Sequence, residues 1–207
     1  MGNKAWLTTA SARRSFPRLQ EPGYDPGRYT IACCDWGIPL LWLPLFRPSD
    51  FLVEAIVVQT GKTYRDPAPV VQTSKALARL EKAVPRLNKV FHKQGKLNRH
   101  AALLREAIAS TRRAFVCLEV EELAWAGEPK KFYKWLERAL AYFNTKDSPK
   151  GRKDLLYLTP TVSEPGMPFP EPNAFGGGEE REIEDMEMLC FLLGKPWERP
   201  VPWEAES

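Results

Sequence analysis

Nineteen prolines in 207 residues, gathered into clusters, decide where this chain can form regular structure. Proline fixes φ, lacks an N–H and clashes with the preceding turn, so helix interiors and central strands should lie between the clusters. The clusters run from Pro17 to Pro48, Pro67 to Pro69, Pro160 to Pro172 and Pro196 to Pro202, and they read as long irregular connections. The hydrophobic share of 43% and charged share of 27% are those of an ordinary globular chain. A chain of this length can bury a core without disulfide or metal. The longest apolar stretch, Trp36 to Phe46, is interrupted by Pro39 and Pro44 and is about half of the roughly twenty residues a bilayer span needs.

Between the proline clusters the hydrophobic periodicity assigns elements. Ala5 to Thr9 and Tyr29 to Cys34 read as short strands, and a helix is expected from Pro39 through Leu40, Leu41, Leu43 and Leu45 to Pro48. Ser49 or Asp50 can cap a further turn, and Ala55 to Gln59 reads as a β-branched strand. The strongest signal is a helix from Ser74 to about Lys93, with Leu77, Leu80, Val84, Leu87 and Phe91 on one face and Pro85 as the place for a kink or break. A second helix, about Leu97 to Arg112, follows Gly95 and predicts a helical hairpin. Ala114 to Val120 reads as a strand. Glu128 opens another helix to about Asn144, with Phe132, Trp135, Leu136, Ala139, Leu140 and Phe143 inward. Leu155 to Leu158 reads as a strand, and a last helix near Glu179 to Leu193 ends at Gly194. The expected fold is α+β: a small mixed or antiparallel sheet packed with the hairpin and two further amphipathic helices. It forms one domain over residues 1–207, with a Pro/Gly-rich connection at 159–178 before the C-terminal helix.

The charges are segregated along this plan. Residues 74–113 hold eleven bases and two acids, a balance of +9, whereas residues 162–207 hold three bases and eleven acids, a balance of −8. Lys75, Arg79, Lys82, Arg86, Lys89 and Lys93 recur at helical spacing as one positive ridge, read chiefly as the solvent face of the first long helix. As a nucleic-acid surface the ridge would give salt-sensitive binding, but it lacks interleaved aromatics and a base-reading motif. Glu179, Glu180, Glu182, Glu184, Asp185 and Glu187 follow three glycines and are the favoured contact for a charged partner protein. The two segments can also pair with each other inside the fold.

No catalytic set accompanies these charges, so the chain is read as a binding protein rather than an enzyme, with no cofactor and no metal. Val57 to Thr63, VVQTGKT, lacks the glycine that a phosphate-cradling loop needs five residues before Gly61, where Ile56 stands, and it reads as a plain turn. His92 and His100 share no helical face and lie among bases, which suits a surface or a phosphate contact. Alternation places Glu119 and Glu121 on one side of a strand, a side read, with Glu122, as solvated. Cys33, Cys34, Cys117 and Cys190 show no CxxC spacing and lie mostly in apolar runs, as buried thiols do in a reducing compartment. The N-terminus lacks the apolar centre of a secretory signal, which gives a cytoplasmic expectation.

Three short pieces carry a resemblance: Met1 through Leu7 (MGNKAWL), Gly37 through Trp42 (GIPLLW), and Gly194-Lys195-Pro196-Trp197 with Val201-Pro202-Trp203. They resemble a poorly characterised bacterial family that opens Met-(Ala/Gly)-Asn-Arg-x-Tyr-Leu, carries Ile-Pro-Leu-Leu-Trp and closes with Val-Pro-Trp. Lys4 and Trp6 stand here for the usual Arg and Tyr. Such proteins resemble the immunity proteins of bacterial toxin systems, cytoplasmic partners that neutralise a cognate toxin by direct binding. The resemblance therefore implies a cognate toxin, a nuclease or other secreted effector, as partner, and no membrane. It brings no matched functional residues.

Overall fold

The computed structural model describes residues 3–14, 28–53, 56–57, 63–64, 67–90, 96–143, 149–159, 192–197 and 201–203. Its centre is a six-stranded antiparallel sheet in the order β3-β6-β7-β1-β2-β8. The strands are β1 (Lys4–Ala10), β2 (Arg28–Asp35), β3 (Phe51–Val53), β6 (Pro67–Gln72), β7 (Phe115–Glu119) and β8 (Lys195–Pro196). A separate two-stranded ribbon pairs β4 (Ile56–Val57) with β5 (Thr63–Tyr64). The helices are α1 (Thr73–Val90), α2 (Lys96–Ser110), α3 (Glu121–Trp125), α4 (Pro129–Tyr142) and α5 (Pro149–Leu158). This is the expected α+β class, with the sheet antiparallel throughout. No helix among the described residues is long and apolar enough to cross a membrane.

One face of the sheet meets the helices. Ala5 and Leu7 of β1, Ala32 of β2, Val71 of β6 and Val116 and Leu118 of β7 join Leu80, Leu87, Leu104, Leu136 and Leu140 of the helices in one buried cluster. The amphipathic stripes read from the sequence supply this layer, because burying each apolar face removes it from water. Helix α1 runs through Pro85, which is exposed, so the ring sits on the solvent side of an uninterrupted helix. Helices α1 and α2 form the expected hairpin, with Asn88 accepting the Leu97 backbone N–H at 3.3 Å where α2 begins.

Local expectations are corrected at three places in the chain. Pro39 to Pro48 is not an α-helix but a turn followed by 3-10 turns at Leu43–Leu45 and Pro48–Asp50. Pro44 and Pro48 each start one of these short turns, where a missing N–H costs nothing. Ser49 and Asp50 do not start a further turn but lie inside the second one, where the Asp50 carboxylate reaches back to accept the backbone N–H of the N-cap Arg47 at 2.7 Å. Pro67 to Pro69 is strand rather than irregular: both ring nitrogens point to the same edge of β6, and pairing with β7 starts only at Val70. Leu155 to Leu158 is the last turn of α5, not a strand. A four-residue apolar run cannot distinguish the two, and Pro149 at the first helical turn was the overlooked start signal. Arg138 of α4 forks onto Asp154 of α5 and fastens the two helices side by side.

The three motif pieces converge at one corner. The Trp42 indole N–H donates to the Leu193 carbonyl at 2.9 Å, the Trp203 indole to the Gly194 carbonyl at 3.1 Å, and the Trp6 and Trp197 rings meet edge to face at 4.5 Å. Gly194 is left-handed at φ +86°. These motifs build the fold's closing corner; Trp42 and Trp203 are wholly or almost wholly buried.

Candidate functional site: an aromatic groove

The second face of the sheet is also buried, which overturns the solvated reading of the glutamates. Cross-strand pairing places Trp6, Thr8, Cys33, Thr30, Cys117, Glu119 and Val70 on this face. Glu119 is 0% exposed and Glu121 is buried as well. Alternation stops after β7, because the chain turns at Val120 into α3, so Glu121 and Glu122 sit in a helical first turn instead of continuing the strand. Glu119 Oε1 accepts the Thr8 hydroxyl at 2.9 Å and the Arg28 guanidinium, and Glu122 accepts the Lys4 backbone N–H at 3.1 Å. Burial first, then the Glu119 carboxylate, pushes the neighbouring Cys117 thiol well above its ordinary range. A thiol so held is a weak nucleophile, and the cluster works as an internal clamp across β7, β1 and β2. His100, expected at the surface, is buried too, on the inner side of α2.

At the edge of this face Lys4 pairs with Asp35 at 2.8 Å, and Lys195 of β8 reaches the same carboxylate at 3.6 Å. The hydrogen bond with Lys4 holds the Asp35 carboxyl below its usual range, and the same bond raises Lys4. Asp35 therefore stabilises the fold above the unfolded carboxyl range, and this is lost as pH falls through its lowered folded value. Lys4 contributes below its unfolded value, and that part is lost as pH rises through the raised one. Both groups are partly exposed, so an Asp35→Asn variant should lose at most about 1 kcal/mol at neutral pH. The difference from the parent should shrink in acid urea titrations and vanish only below the lowered folded pKa of Asp35.

The basic ridge is divided by the fold. Arg79 turns inward to the Asp50 carboxylate and donates to the Leu45 carbonyl at 3.2 Å; Arg86 donates to the Tyr142 carbonyl and stacks over that ring at 3.9 Å. Both stand at the border of the buried stripe of α1, where a long guanidinium can reach the neighbouring carbonyls. Lys75 and Lys82 remain exposed. The Lys89 side chain and all of Lys93 lie outside the described residues, as do His92, Cys190 and the acidic set Glu179, Glu180, Glu182, Glu184, Asp185 and Glu187. Of VVQTGKT, only Val57 and Thr63 are described, paired across the two-stranded ribbon; the turn reading itself falls on residues outside those described. Among the described residues no group of three or more His, Cys, Asp or Glu is placed to hold a metal.

What the sequence reading missed is a groove of about 430 Å³ between the end of β2, the α3–α4 corner and the end of α5. Its walls include Trp36, Phe132, Trp135 and Tyr157, and Glu128 and Lys131 stand at the rim. Three contacts assemble it. The Trp36 N–H donates to the Asn3 carbonyl at 2.8 Å, the Ile38 N–H donates to the Leu158 carbonyl at 2.8 Å, and the Trp135 and Tyr157 rings meet at 4.4 Å and 71°. Helix α3 stops at Ala126 and Gly127, and Glu128 with Pro129 starts α4, so the corner is set by ordinary stop and start chemistry.

Trp36 is 72% exposed and adopts φ +62°, a left-handed backbone that costs a bulky side chain energy. Trp125, 60% exposed, lies between Ala124 and Ala126, both of which line the groove, and Tyr157 is 43% exposed. Burying these rings would remove a large apolar area from water, yet they stay out. The signal was present in the sequence as tryptophans that fit no stripe: Trp36 follows the end of β2 before Gly37, and Trp125 ends α3 shortly before Gly127. Comparison with protein-family models, with curated proteins and with solved structures finds no match to this chain.

Proposed function

We propose that this protein acts by binding another protein, with the aromatic groove as its docking face. The observation that carries the reading is the exposed Trp36 and Tyr157 in the walls of one concavity, with the exposed Trp125 next in sequence to the lining residues Ala124 and Ala126. Tryptophan and tyrosine dominate the energetic centres of protein interfaces, because they bury much area at little conformational cost. The resemblance of the terminal and Ile38–Trp42 motifs to immunity proteins makes a cognate bacterial toxin the proposed partner, neutralised by direct binding. The acidic residues Glu179 to Glu187 are a second proposed contact, which would add rate and specificity through charge.

The test begins with the products of neighbouring genes, co-purified from the native host. With the captured partner, Trp36→Ser and Tyr157→Ser together should weaken affinity about thirty- to hundredfold, as loss of central aromatic contacts does. Reversal of Glu180, Glu182, Glu184 and Asp185 to Lys, measured in the same titration, reports on the acidic segment separately. Full affinity in the groove double variant, with loss in the charge-reversed one, would move the docking face to the acidic segment.

A further inference from the structure

Within the groove the chain already holds a cation on an aromatic wall. The Lys131 ammonium lies over the Trp135 ring at 5.5 Å from its centroid and 3.5 Å from Glu128 Oε1. Trp135 and Tyr157 stand nearly perpendicular to each other, and Trp36 lines the same cavity. A carboxylate at the rim and aromatic rings in crossed orientations are the groups that recognise an organic cation, because the π faces and the carboxylate both present negative potential. The Glu128–Lys131 pair is largely solvent-exposed, so it is held weakly and is readily exchanged for another cation.

We infer that the groove takes the cationic end of an arginine side chain from the partner protein, over Trp135 and against Glu128, in the position Lys131 occupies in the free protein. Arginine suits the site better than lysine, since its planar guanidinium stacks on an indole while its edge N–H groups pair with a carboxylate. Lys131 is then an internal competitor that occupies the face of Trp135 until the partner arrives. This rests on the docking reading of the same groove and names the chemistry that fills it.

The experiment titrates N-acetyl-arginine amide, and its neutral isostere N-acetyl-citrulline amide, into the full-length protein at fixed ionic strength. The indole N–H resonances of Trp36 and Trp135 are followed by NMR. The expected result is saturable shifts with the arginine probe and binding on the order of tenfold weaker with citrulline. Lys131→Ala should bind the arginine probe severalfold more tightly, and Glu128→Gln severalfold less. Both positions are exposed, and the dispersion of the remaining resonances verifies that each variant is folded. Equal binding of the two probes overturns the inference, as does the absence of any arginine-induced shift in both the parent and Lys131→Ala. In either case ring protection by the authentic partner still decides the docking reading independently, so the two failures are distinguishable.

Discussion

An Arg28→Ala protein is expected to lose about 3–5 kcal/mol of folding stability, read by urea denaturation at neutral pH. Arg28 donates to Glu119, whose side chain is almost completely enclosed on the second face of the sheet. Removing the guanidinium takes this cation away from a buried carboxylate, and a neutral donor such as the Thr8 hydroxyl does not offset the desolvation of a charge. The pair as a whole is a poor source of net stability, because both ions gave up water to form it. An Arg28→Met, Glu119→Leu double variant should therefore recover most of the loss, and the coupling between the two sites should exceed about 1 kcal/mol. An Arg28→Ala variant within about 1 kcal/mol of the parent would contradict the clamp across β7, β1 and β2.

Gly194→Ala should cost about 3 kcal/mol or more, from two additive causes. At φ +86° an L side chain meets its own backbone, and a Cβ placed there would lie 2.5 Å from Cζ2 of Trp42 and 3.0 Å from the Cys33 carbonyl. Trp42 cannot retreat, since it is wholly buried and its indole N–H is fixed to the Leu193 carbonyl. The expected readout is a fall of the thermal midpoint by about 6–12 degrees, or expression as insoluble protein. A Gly194→Ala protein with an unchanged midpoint would mean that the closing corner is not packed as described.

The parts of the fold that were legible in the sequence are those with a strong period. The stripe of α1, the hairpin it makes with α2, β7 and the core face of α4 all followed from spacing, because one buried face imposes its repeat directly on the residues. Short apolar runs were not legible in the same way. Leu155 to Leu158 fits either a strand or a helix end, and Leu40 to Leu45 lies between prolines in a buried turn that has no period at all.

The candidate site was hidden for a different reason. Glu119 reads as solvated when one face of the sheet is taken to be wet, yet both faces of β7 are covered, and no residue-level pattern reports what a distant segment packs against. Arg79 and Arg86 share the helical angle of Lys75 and Lys82, and only the position of Asp50 and of the Tyr142 carbonyl separates structural arginines from exposed lysines. The groove joins residues from positions 36, 124, 135 and 157, which approach only once β2, α3, α4 and α5 have packed. Its one local signal was tryptophan outside any periodic stripe, beside glycines where the chain changes direction.

The central claim is that the aromatic groove is where a protein partner docks, and hydroxyl-radical footprinting of the complex tests it most directly. The buried Trp42 and Trp203 serve as internal references that stay protected with or without partner. Trp36, Trp125 and Tyr157, exposed and so strongly labelled in the free protein, should become protected on complex formation at saturating partner. Unchanged labelling of all three in a fully formed complex would contradict it.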